Sequence, residues 1–158
     1  MRLGVLLAVL TIPSGGAVYA IWNGAGGTGA GSGAAGTAAA VTLTPGTPAA
    51  TLRPGGQAAV VLTAANANPF AVQIGSLALD VSRGTGGFAV DAGHSGCVLS
   101  TLSFASQTNG GAGWTVPARV GAVDGTVAIT VANAVAMGLD AANACQGASA
   151  TVYLVAGS

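Results

Sequence analysis

The sequence predicts an all-β protein: an immunoglobulin-like antiparallel β-sandwich of seven or eight strands that follows an N-terminal signal helix. From residue 39 onward, apolar side chains alternate with small or polar ones, as in strands with one buried face. Turn-forming clusters of Gly, Pro, Asn and Asp interrupt the alternation at short intervals. Helix formers other than Ala and Leu are scarce, which argues against a helical bundle. A jelly roll or a small barrel is the alternative architecture.

The first predicted strands are short apolar runs. One is expected around residues 39–43, where Val41 and Leu43 lie on the same face. The next covers residues 58–64, and the sequence NANP at 66–69 ends it. The buried face of this second strand is expected to consist of Ala58, Val60, Leu62 and Ala64.

The middle strands are less regular. Residues 72–81 change phase at Gly75, which predicts a β-bulge there. Phe88 and Val90 indicate a short strand, and the sequence NGG at 109–111 indicates a turn. Between them, one strand is expected to face inward through Val98, Leu102 and Phe104.

The last strands surround a clear turn signal, the pair DG at 124–125. Before it, residues 114–120 alternate, and Pro117 predicts an edge strand or a bulge because it has no amide hydrogen. Asp140 is expected to cap one helical turn, and residues 148–155 are expected to close the domain. The inward residues are expected to be Trp114, Val116, Ala118 and Val120, then Val127, Ile129 and Val131, then Ala150, Val152 and Leu154.

The N-terminus has the layout of a secretory signal peptide. Arg2 is followed by an apolar run at residues 3–12, and Pro13 then interrupts any helix. Val18 and Ala20 fit the −3 and −1 positions of a cleavage site.

Two outcomes of targeting are open. Cleavage between Ala20 and Ile21 would release a secreted protein, whereas residues 3–22 are about long enough to remain as a membrane anchor. Residues 21–38 are predicted to be a flexible tether, because residues 24–36 contain little but Gly, Ala, Ser and Thr. The β-sandwich domain is expected at 39–158, outside the cell or on its surface.

The two cysteines are predicted to form a disulfide. Cys97 and Cys145 are the only ones in the chain, and an even count in an exported protein usually means a bridge. A pair of free thiols is the alternative. The bridge would close a loop of 48 residues (145 − 97) and stabilise the fold by roughly 4 kcal/mol.

The composition argues against nucleic-acid binding, metal binding and acid–base catalysis. Charged residues make up 5% of the chain, and there is no Lys and no Glu, so no basic surface for nucleic acid is expected. Asp91, His94 and Cys97 are spaced like metal ligands, but we interpret them as a polar loop whose cysteine is in the disulfide. His94 and Ser95 point opposite ways in an extended segment, which argues against a catalytic pair. No catalytic residue, cofactor or metal is expected.

Trp114 is the one candidate for ligand contact. An aromatic ring on a strand can stack on a sugar. The competing interpretation, which we favour, is a core or half-buried edge residue.

Six segments resemble a group of uncharacterised exported β-sandwich proteins from high-GC Gram-positive bacteria. They are YAIW at 19–22 with the Gly-rich tail, LRPGG at 52–56, NANP at 66–69, DAGHSGC at 91–97, GWTVP at 113–117 and ACQG at 144–147. The resemblance implies a secreted or surface domain with the Cys97–Cys145 bridge, and it implies no catalytic residues.

A fainter similarity links the chain to camelysin and the biofilm-fibre matrix proteins, which also have a signal followed by a β-sandwich. Here residues 24–36 replace their charged segment after the signal. The expected function is a non-enzymatic structural or adhesive surface module with a surface or matrix partner. The alternatives are a domain that binds carbohydrate or cell-wall polymer and a fibre subunit that exchanges strands. In that last case, residues 39–43 would pair with a neighbour, although pairing within their own domain is favoured.

Overall fold

The structure is a computed structural model that describes residues 38–158. The predicted signal or anchor at 1–20, the cleavage site between Ala20 and Ile21 and nearly all of the tether lie outside the described residues. The described part is all-β, with antiparallel strand pairing throughout, as predicted. The helices between residues 38 and 158 are single 3-10 turns, and none has the length and apolar character needed to cross a bilayer.

Eleven strand segments are present in residues 38–158, where the sequence predicted seven or eight strands. They are β1 (Thr42–Leu43), β2 (Thr47–Pro48), β3 (Gln57–Asn66), β4 (Val72–Ile74), β5 (Ser76–Leu79), β6 (Phe88–Val90), β7 (Leu102–Phe104), β8 (Trp114–Val116), β9 (Gly125–Met137), β10 (Ala150–Val152) and β11 (Leu154–Gly157). The 3-10 turns are Ala92–His94, Leu99–Thr101, Asn109–Gly111 and Asn143–Cys145.

The largest sheet is built around the antiparallel pair β3 and β9. Its strand order is β1-β3-β9-β7, and β2 also pairs with β3. The even-numbered residues of β3 are buried, as its alternation predicted. The register shifts between Ala58 and Val60, opposite a stretch of β9 in which Asn133 has a φ of 49°. This irregularity allows the 13-residue β9 to follow the 10-residue β3 along its length.

Three two-stranded ladders make up the rest of the fold: β4 with β8, β5 with β11, and β6 with β10. Gly75 lies where the chain passes from the first of these ladders to the second. The predicted phase change is therefore real, since Ile74 and Leu77 are both buried, but it is a change of partner strand rather than a β-bulge.

Gly46 links the largest sheet to the β6–β10 ladder. Its amide donates to the Val152 carbonyl over 2.7 Å, and the Val152 amide donates back over 2.8 Å. On either side of Gly46, β1 and β2 pair with β3 instead. A Cβ at this position would lie 2.5 Å from Cγ1 of Val60, so only glycine fits this close approach.

One core contains the buried side chains from all of these ladders. Its fully buried members are Val60, Ala64, Leu77, Val116, Val135 and Val152. The predicted inward residues Ala150, Val152 and Leu154 are all buried, as are Ile129 and Val131.

Besides the β-bulge at Gly75, three further sequence predictions about local structure are wrong. Val98 is exposed, because it lies between the 3-10 turns Ala92–His94 and Leu99–Thr101 rather than in a strand, and β7 begins only at Leu102. Val120 is exposed, because β8 ends just before Pro117, which cannot continue the ladder. Asp140 caps no helix: the last 3-10 turn begins after Ala142, which has no capping side chain.

Candidate functional site

The predicted disulfide is present and lies at one end of the fold. Cys97 and Cys145 are bonded, with their Cα atoms 4.5 Å apart and both side chains buried. Cys97 follows β6 in the chain, and Cys145 precedes β10. The bridge therefore fastens the two loops that continue the β6–β10 ladder, and we call this region the disulfide end.

Asp91 and His94 form a hydrogen-bonded pair beside the disulfide. Nδ1 of His94 lies 2.8 Å from Oδ1 of Asp91, and because an ionised carboxylate only accepts, Nδ1 carries the hydrogen. Asp91 also accepts from the amide of Ser149 over 2.7 Å and from that of Gly93 over 3.0 Å. The His94 hydrogen bond, followed by that from Ser149, lowers the pKa of the Asp91 carboxyl below its ordinary value of 3.8.

This pair fixes the orientation of the His94 imidazole. Within the described residues, the hydrogen bonds of the His94 ring go to Asp91, and its Nε2 lies near Gly147. The third member of the ligand-like spacing, Cys97, is in the disulfide. Residues 38–158 contain no group of three His, Cys, Asp or Glu side chains placed to hold a metal ion.

Trp114 lies at the start of β8, opposite Ile74 of β4, and its half-buried ring packs against the core. The other aromatic rings of residues 38–158, apart from the exposed Phe70, are also buried or in contact with other side chains. Phe88 is buried, Phe104 packs against the core, and the Arg83 guanidinium sits 4.3 Å above the Tyr153 ring. The favoured interpretation of Trp114 as a half-buried edge aromatic agrees with this position.

A groove lies between β1 and β11. It has a volume of about 540 Å³. Apolar and main-chain groups line most of it, including Val41, Leu43, Ile74, Leu154 and Ala156. Arg83 is the one charged residue in its lining. Sequence patterns predicted both strands but gave no sign that they lie side by side.

Both strands present to this groove main-chain groups that have no hydrogen-bond partner within residues 38–158. On β5, Leu77 exchanges hydrogen bonds with Gln107 on the side away from β11. Because antiparallel partners alternate, the N–H and C=O of its opposite residue, Ala156, point away from β5. On the other side of the groove, the Thr44 amide donates to Thr63 of β3, so the main-chain groups of neighbouring Leu43 point away from β3.

The groove is thus bounded by two strand edges. Among the described residues, β1 has β3 as its strand partner and β11 has β5. Such an arrangement can accept an extended peptide by adding a strand to a sheet edge.

Comparison of the chain with family models, with curated proteins and with solved structures gives no match to any of them.

Proposed function

We propose that this protein is a non-enzymatic, exported structural or adhesive module that binds a surface or matrix partner through its open strand edges. We further propose that its strands form an immunoglobulin-like sandwich, with the β3–β9 sheet on one side of the core and the three short ladders on the other. The resemblance of its six segments to exported β-sandwich proteins supports the location outside the cell.

The observation that carries the proposal is the groove between β1 and β11. Its lining is mostly apolar, Arg83 is its one charged residue, and its two edges offer main-chain donors and acceptors. Such a site suits recognition of an extended chain and has nothing to activate a reacting group. The Asp91–His94 pair lies elsewhere, next to the disulfide.

Two alternatives have specific observations behind them. A fibre subunit would exchange residues 39–43 with a neighbour, and the short β1, with two residues, forms few bonds to break. Here, however, β1 pairs with β3 of the same chain, so exchange would require β1 to detach. A polymer-binding domain would use Trp114, although that ring is partly buried and packs against the core.

The test places a proline on the groove side of β11. Ala156→Pro removes an N–H that points into the groove and leaves the bonds of β11 to β5 in place. We expect a smaller fraction of the exported protein to be retained on the producing cells. The binding constant should fall by roughly tenfold, because a main-chain acceptor of the bound partner loses the N–H of residue 156.

Ala142→Pro is the matched control. Ala142 is exposed, lies near the disulfide and has a φ of −65°, which proline adopts without strain. Equal retention of both variants, with unchanged melting temperatures, would contradict binding through β11. A mature protein that stays monomeric by sedimentation at high concentration would remove the fibre alternative.

A further inference from the structure

Three large apolar side chains are exposed at the end of the fold opposite the disulfide. The exposed fractions are 51% for Phe70, 79% for Val120 and 72% for Val123. The residues around them are uncharged and mostly small, apart from Arg119 and Asp124 at the margins. We call loops 67–71 and 119–124 together the apolar tip. Clusters of exposed apolar side chains usually mark a contact surface.

The two loops of the apolar tip are held together by hydrogen bonds. The Arg119 amide donates to the Asn68 carbonyl over 2.8 Å, which joins one loop to the other. Val120 and Val123 exchange main-chain hydrogen bonds across a tight hairpin, and Gly121 at its turn has a φ of 60°. The exposed side chains are therefore presented on a fixed frame rather than on loose loops.

The N-terminal part of the chain joins the domain at the apolar tip. The amide of Ala39 donates to Oδ1 of Asn68, and Nδ2 of Asn68 donates to the Ala39 carbonyl, both over 2.8 Å. The sequence before this point is a Gly-rich stretch of 13 residues (24–36) preceded by the apolar residues 3–22.

The geometry points to a lipid bilayer as the partner of the apolar tip. A domain tethered at this end to a membrane, or released beside one, presents Phe70, Val120 and Val123 to the lipid. A second copy of the chain is the competing occupant. It is disfavoured because three side chains are far too few to bury the roughly 800 Å² per partner of a stable interface. This proposal does not depend on binding in the β1–β11 groove.

Amide hydrogen exchange on the whole exported chain tests the proposal. The protein is measured with and without vesicles of phosphatidylcholine and phosphatidylglycerol. We expect exchange in loops 67–71 and 119–124 to slow by roughly tenfold when vesicles are present, because these amides exchange only while the tip is off the bilayer. Residues 138–146, near the disulfide, should be unaffected.

The variant Phe70→Ser/Val120→Ser/Val123→Ser should lose this protection, and Val120→Ser alone should lose part of it. Leu139→Ser is the matched control, because Leu139 is 86% exposed and its side chain lies next to Gly55, away from the apolar tip. Unchanged exchange at the tip on adding vesicles would overturn the proposal. So would protection that appears without lipid and grows with protein concentration, since that would identify a second copy as the occupant.

Discussion

Asn66 shows how a single buried polar residue organises one end of this molecule. Its Nδ2 donates to the carbonyls of Phe70 and Pro117 over 2.8 and 2.9 Å. Its Oδ1 accepts from the main-chain amide and the side chain of Asn68 over 2.9 and 2.8 Å. The sequence NANP predicted that β3 ends here, which is confirmed. The pattern could not show that Asn66 is completely buried, because its partners at Val116 and Pro117 lie 50 and 51 residues away.

Removing the Asn66 side chain should therefore destabilise the fold. Asn66→Ala leaves the Phe70 and Pro117 carbonyls and the Asn68 amide without partners, so we expect a loss of about 3 kcal/mol in the free energy of unfolding. Asn66→Asp, which keeps the acceptor and loses the donor, should also be destabilising. Denaturant titration measures both changes.

Gln57→Ala is the control for this prediction, because Gln57 is exposed at the other end of the same strand. We expect it to change the free energy of unfolding by no more than about 0.5 kcal/mol. If Asn66→Ala is equally mild, the hydrogen bonds of Asn66 contribute little to stability.

At the scale of elements, alternation predicted the buried residues well where a strand keeps the same face toward the core along its length. β3, β10 and the first part of β9 have the predicted buried faces, because each lies over a single core. It failed where the chain changes partners. Gly75 looks in sequence like a bulge, yet the register shift lies beside Asn133 in β9, where Asn tolerates the left-handed conformation. A register shift is defined by the pairing of two strands, so it cannot be predicted from the sequence of one strand alone.

The β6–β10 ladder is extended beyond its last residues by Asp91. The Asp91 amide donates to the Ser149 carbonyl over 3.2 Å, and the Ser149 amide donates to the Asp91 carboxylate over 2.7 Å. Because the pKa of Asp91 is lower in the folded protein than its ordinary value of 3.8, its ionised form favours folding. That contribution is present at pH values above the ordinary pKa and is lost as the pH falls through the lower, folded value.

Asp91→Asn should consequently be less stable than the parent protein near neutral pH, and the difference should shrink as the pH falls from about 6 to about 2. Melting temperatures of both proteins across this range provide the measurement. Asp80→Asn, whose carboxylate bonds within its own loop to Ser82, is the control. A difference between Asp91→Asn and the parent that does not change with pH would contradict a role for ionised Asp91.

At the scale of the whole molecule, the sequence predicted the disulfide at one end of the fold but not the apolar tip at the other end or the groove between β1 and β11. The disulfide followed from a count of two cysteines and is confirmed. The groove between β1 and β11 could not be predicted, because its two strands are the first and the last in the sequence of the domain. Local alternation carries no information on which strands become neighbours. The apolar tip was not predicted either. The alternation predicted Val120 as an inward residue of a strand, but β8 ends at Val116, just before Pro117, and Val120 is exposed.

The disulfide end should contribute a large part of the total stability. The core is built mostly from Val, Ala and Leu, so each residue buries a modest area, while the bridge closes a loop between positions 48 residues apart. We expect Cys97→Ser to lower the free energy of unfolding by about 2–5 kcal/mol, against the roughly 5–15 kcal/mol typical of single domains. A variant with both cysteines changed to Ala, which avoids a new buried hydroxyl, should lose a similar amount. Thermal melts with and without reductant give an independent measure, and equal melting temperatures for fully reduced and oxidised protein would show that the bridge does not stabilise the fold.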